Sequence, residues 1–143
     1  MNKRRWLLLP LLPVLAVLAW AALAPLPAAA SHEQVFDIPK GTWARRMAGD
    51  KTEVLPSTIY LTLGLRDVLL LRNSDAVPQS FGPVLIMPGQ EFRMPFEVPS
   101  ENQFDCTAHA SGQLTVIVLP HPDAGWPRLA WRAQTLYRQL THA

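Results

Sequence analysis

Gln103-Phe104-Asp105-Cys106-Thr107-Ala108-His109-Ala110-Ser111-Gly112-Gln113 runs directly into Leu114-Thr115-Val116-Ile117-Val118. Phe104–Cys106 and Leu114–Val118 read as the last two strands of a β domain, joined by the Thr107–Gly112 loop. Cys106 is the only cysteine of the chain. A lone thiol in an exported protein is inert in a core, joined to a partner, or bound to something.

Export is read from the other end of the chain. Asn2-Lys3-Arg4-Arg5 is a basic start, Trp6 to Ala24 is a leucine- and alanine-rich run, and Ala28-Ala29-Ala30 offers small residues for cleavage before Ser31. Residues 1–30 are therefore expected to be a signal peptide. The alternative is an uncleaved membrane anchor, since the uncharged run approaches the ~20 residues of a spanning helix. Either reading puts the rest outside the cytoplasm, periplasmic and secreted or anchored to the inner membrane. Three of the thirteen Lys and Arg residues lie in this leader, leaving ten basic against eleven acidic residues, a net of −1. With dispersed arginines and no nucleic-acid motif, nucleic acid is not an expected partner. The remaining roughly 110 residues suffice for one small domain.

Turn signals then divide the chain into short strands. Gln34–Ile38 suits an edge strand, Thr42 a cap for a brief helix through Met47, and Ser57–Leu63 a half-buried strand with Ile59, Leu61 and Leu63 on one face. Asp67–Arg72 is apolar on both faces, as expected inside a two-layer structure, and Asn73-Ser74-Asp75 turns into a proline-rich loop, Val77–Pro83. Val84–Met87 and Glu91–Phe96 flank the turn pair Pro88-Gly89, and Pro95 marks an edge or bulge. Six or seven such strands predict an all-β Greek-key sandwich or barrel over residues 33–120. A helical tail, 121–143, should follow. Its Leu129, Ala133, Leu136 and Leu140 recur at helical spacing, with Arg128, Arg132 and Arg138 largely off that stripe. Such an amphipathic helix docks on its own sandwich or meets a membrane or partner.

A strand ending in Cys, a loop carrying His and a final apolar strand suit a copper site, because thiolate is a soft donor for Cu(I) and imidazole serves both oxidation states. On three stretches the chain resembles the cupredoxin family, in particular small exported bacterial cupredoxin-like domains of the kind also found in periplasmic iron-uptake proteins. These are Phe36–Thr42, Leu70–Asp75 with the loop to Pro83, and Phe104–His109 with Ser111-Gly112, within a resemblance covering Val35 to Leu119. The resemblance implies a cupredoxin-type fold, one copper ion, Cys106 as thiolate ligand and His109 as imidazole ligand. It also implies a second histidine after the Asn-x-Asp turn, where this chain has Gln79. Gln79 is then a weak oxygen ligand or a hydrogen-bonding residue of a decayed site. No Met follows His109, so Gln113 is a candidate axial ligand or an ordinary strand residue. Met87 and Met94 are expected in core packing. His32, His121 and His142 are expected to be solvated.

These readings imply a copper-binding protein that holds and transfers Cu(I) or carries one electron, passing either to a redox or copper-transfer partner that is itself membrane-bound or soluble. The alternative is a metal-free cupredoxin-fold docking module of a membrane complex. An enzyme is not expected: there is no carboxylate pair, HExxH or phosphate loop, and Cys and His in one loop suit shared ligation better than proton transfer.

Overall fold

The computed structural model describes residues 11–27 and 30–141 of the chain. The described residues fall into two units. One joins the segment up to Pro27 with that from Pro122 onward; the other runs to His121. The basic start at Asn2–Arg5, the first part of the apolar run, Ala28-Ala29 of the expected cleavage site and His142 lie outside the described residues.

The second unit carries eight strands and one short helix. They are β1 (Glu33–Ile38), α2 (Thr42–Met47), β2 (Thr58–Thr62), β3 (Val68–Asn73), β4 (Gln79–Phe81), β5 (Val84–Ile86), β6 (Glu91–Pro95), β7 (Ser100–Asp105) and β8 (Gln113–Leu119). One sheet has the order β1-β3-β6 and another β2-β8-β7, while β4 and β5 form a hairpin. β1 runs parallel to β3, from Glu33 opposite Val68 to Ile38 opposite Asn73, and β2 runs parallel to β8. A parallel pair needs a crossover. Here the chain makes it by visiting the other sheet: β2 intervenes between β1 and β3. The result is a β-sandwich of two mixed sheets. β6 closes its sheet at an edge, where Pro95 costs no ladder bond.

Ile38, Leu69 and Leu71 from the first sheet meet Ile59, Leu61, Leu114, Val116 and Val118 from the second in one buried cluster. Each such side chain stabilises the fold by about 1.5–3 kcal/mol through removal from water. Phe81 of β4 and Cys106 belong to the same cluster, so the thiol sits at the end of the core. Phe81 packs against Phe104 with ring centroids 4.6 Å apart.

Several local expectations are corrected. Thr42 does not cap α2; Gly41 does, at φ +83°, and its amide and that of Trp43 each donate to Asp75 at 2.8 Å. A carboxylate 34 residues downstream of Gly41 replaces the local cap. The Val77–Pro83 loop contains β4, whose hairpin with β5 turns through Gly82-Pro83. Gly82 has φ +53°, and a Cβ there would lie 3.1 Å from the Phe104 ring, so conformation and space both require glycine. Pro88-Gly89 consequently joins strands that do not pair with each other: β5 pairs with β4, and β6 with β3. β7 begins at Ser100 rather than near Phe104. Its half-buried positions include Ser100 and Asn102, which share a hydrogen bond, so the alternation is not an apolar one.

The first unit pairs two helices, α1 (Leu11–Leu23) and α3 (Trp126–Thr141). Among the described residues no helix is long and apolar enough to cross a membrane. The expected tail helix is present, with Pro127 in its first turn, but its apolar stripe is not its packed face. Leu136 and Leu140 are exposed, whereas Arg128 and Arg132 are half-buried and bond the end of α1. Polar demand from the carbonyls at that helix end overrides the hydrophobic stripe.

Candidate metal centre

Cys106 leaves β7 and enters a loop closed on itself. Its amide donates to the Gly112 carbonyl at 2.8 Å, the His109 amide to the Cys106 carbonyl at 3.3 Å, and the Gly112 amide to the His109 carbonyl at 3.1 Å. The thiol is 1% exposed. Burial pushes it above its ordinary pKa; backbone N–H groups of Ala108 and His109 and the charge of Arg46 pull it back in part, while Glu53 adds to the rise. A thiol raised in this way is protonated, and so inert, at neutral pH.

His109 is 4% exposed. Its Nδ1 lies 2.8 Å from Ser111 Oγ, and its Nε2 lies 3.2 Å from Glu53 Oε2. The latter approach is out of hydrogen-bond alignment, leaving Nε2 a buried nitrogen without a hydrogen-bond partner. Arg46 of α2 braces the loop from outside, donating to the Ala108 carbonyl from Nε at 3.3 Å and Nη2 at 2.9 Å. Glu53 accepts the Ala110 amide at 3.2 Å and lies 3.7 Å from Arg46. Sequence reading missed both residues. Their partners lie some sixty positions away, and no local pattern marks them.

Gln79 is fully buried, and both ends of its amide are used. Nε2 donates to Asp75 Oδ2 at 3.1 Å, and Oε1 accepts from Thr107 Oγ1 at 2.8 Å. Thr107 in turn takes the Ser80 amide at 2.9 Å and gives its own to the Ser80 carbonyl at 3.2 Å. Gln79 is therefore a strut between the Asn73–Asp75 bend and the Cys106 loop. Phe81, bridged to Cys106, secures the same junction.

Gln113 is not brought to the thiol. Its side chain is exposed on β8 and accepts from Gln103 Nε2 at 3.0 Å. Met94 packs against the core as expected, but Met87 is exposed rather than in the core. His32 and His121 are exposed, near Asp67 and the Leu63 carbonyl respectively.

Asp75 anchors the bend. It is buried, and burial pushes its carboxyl up, but N–H groups of Trp43, Gly41 and Ala76 with the Gln79 amide outweigh this and hold it below the usual range. A depressed folded-state pKa adds stability above the ordinary carboxylate value and loses it as pH falls below about 4. Asp75→Asn should cost roughly 1–3 kcal/mol at pH 7 by urea unfolding. The gap between the two proteins should narrow as the pH is lowered through that range.

Among the described residues, no group of three or more His, Cys, Asp or Glu side chains could hold a metal ion. The strong donors are a pair, Cys106 and His109. A soft thiol with an imidazole whose buried nitrogen lacks a hydrogen-bond partner fits monovalent copper, which accepts few ligands. The pair does not make the two-histidine set that the resemblance implies, because Gln79 stands where the resemblance expects the second histidine and both ends of its amide are engaged.

No family model matches the chain, and no curated protein matches it. Among solved structures it is similar to a purple cupredoxin from Nitrosopumilus maritimus, at 17% identity over 59% of this chain and 97% of that one, with a TM-score of 0.41. It is also similar to an oxidised point mutant of amicyanin, at 18% identity over 63% of this chain and 85% of that one, with a TM-score of 0.43. The Cu(I) form of another amicyanin mutant gives 17% identity over the same shares and the same score.

Proposed function

We propose that the chain is an exported cupredoxin-like protein that holds one Cu(I) ion through Cys106 and His109 and passes it to a protein partner. The observation that carries this reading is the buried Cys106 thiol in one closed loop with His109, whose buried Nε2 has no hydrogen-bond partner. Bound copper would supply a soft cationic centre able to exchange thiolate donors with a partner site. The chain's own residues do the rest. Cys106 gives up its proton on binding, His109 offers a neutral nitrogen, and Arg46 and the closed loop fix both. With Gln79 engaged by Asp75 and Thr107, no second imidazole steadies Cu(II), so holding Cu(I) is favoured over one-electron cycling. No catalytic role is proposed, since burial moves the thiol away from the low pKa a nucleophile needs.

The saturated Gln79 amide also favours a second reading, a metal-free docking module on the same frame. Titration of the purified chain with Cu(I) against a chromogenic Cu(I) chelator separates the two. Uptake of one equivalent is expected. Absence of uptake would sink the copper reading and leave the docking module.

A further inference from the structure

α1 is apolar on every side and carries no charge. Eight of its large apolar side chains are exposed, from Leu18 at 43% to Leu12 at 71%. A removable leader needs no fixed companion in the mature protein. α1 has one in α3: the Gly125 amide donates to the Ala22 carbonyl at 2.9 Å, and Arg128 Nη1 donates to the carbonyls of Leu23 at 3.3 Å and Ala24 at 3.1 Å. Arg132 Nη2 adds bonds to Ala24 at 3.0 Å and Pro25 at 3.2 Å, and its guanidinium lies 5.8 Å from the Trp20 ring centroid. The carbonyls of Ala22 and Leu23 in the last turn of α1, and those of Ala24 and Pro25 just beyond it, all receive donors from the far end of the chain. Such closure matters most where water cannot supply the bonds.

The adjoining face of α3 completes the picture. Trp126, Leu136, Tyr137 and Leu140 fall within an arc of about 100° around the helix, with Arg132 about 40° and Arg128 about 80° beyond its edge at Leu136. All four are strongly exposed, up to 80% at Leu140. Tryptophan and tyrosine beside leucine, flanked by arginines, is the pattern of a helix lying in a membrane interface.

We propose that α1 is retained in the mature protein and that α1 and α3 together form a lipid anchor. α1 is embedded, Arg128 and Arg132 seal its last carbonyls, and α3 lies along the outer surface with its Trp126–Leu140 stripe in the lipid. The inference rests on the exported reading above but is independent of the metal. Cleavage after Ala30 would instead strip both arginines of these acceptors.

The test uses the full chain with a C-terminal tag in a bacterial host. Expected results are an intact mass that includes α1, retention in membranes through an alkaline carbonate wash, and digestion of the β-sandwich by protease added to spheroplasts. A mass beginning near Ser31, or release by carbonate as from a protein partner, overturns the anchor. Protection from protease until lysis overturns the exported reading beneath it. For α3, the retained chain is reconstituted in phosphatidylethanolamine and phosphatidylglycerol vesicles, where buried Cys106 stays silent. Leu140→Cys should react with a water-soluble maleimide at least about tenfold more slowly than Gln134→Cys on the polar side. Equal rates overturn the placement of α3 in lipid.

Discussion

Gln79→His should give the chain a Cu(II) site with an intense visible thiolate-to-copper band that the unmodified chain lacks. The argument starts from the strut. Gln79 lies on β4, whose hairpin holds the Cys106 loop through Ser80, Thr107 and the Phe81 bridge, so position 79 is already fixed beside that loop. Imidazole there would supply the donor that both copper oxidation states use, converting a thiolate and one nitrogen into a three-donor set. The replacement gives up the bonds to Asp75 and Thr107, at a cost of about 1–2 kcal/mol that the buried core can absorb. Visible absorption and electron paramagnetic resonance of both proteins after Cu(II) addition check this. A band in the unmodified chain would show that Gln79 does not hold the site back, and a band in neither would show that position 79 does not reach the thiol.

Cys106→Ala should abolish Cu(I) uptake in the chelator competition, weakening binding by at least about a hundredfold, or roughly 2.7 kcal/mol. His109→Ala should weaken it less. The thiolate supplies both the soft donor and the negative charge, whereas the imidazole is neutral and solvent or chelator can replace it in part. The alanine at 106 removes a small buried side chain and leaves the loop's backbone bonds to Gly112 and His109 in place. Folding should survive, as unfolding curves for the variant would report. Unchanged uptake by the alanine variant at 106 would remove the thiol from the site, and equal losses for the two substitutions would overturn the ranking of thiolate above imidazole.

How much of this was legible in the sequence depends on whether a residue's role is local. β3 was readable because Leu69-Leu70-Leu71 is buried on both sides, and β8 because Leu114, Val116 and Val118 alternate. That same alternation turns Gln113 outward, so the signal against an axial role was present and went unused. β4 was hidden inside a proline-rich loop because three residues are too few for a period. The cap from Asp75 to α2, the brace from Arg46 to Ala108 and the face of α3 all depend on partners far away in sequence. The Cys106 and His109 pairing was visible because one short loop carries both. What Gln79 does was not, since an amide reads as ligand or strut until its partners are seen.

Copper X-ray absorption on the Cu(I)-loaded full chain tests the central claim most directly. The account predicts a low-coordinate ion with one sulfur from Cys106 and one nitrogen from His109. A shell of nitrogen and oxygen without sulfur would contradict it, and so would a second nitrogen ligand in the unmodified chain.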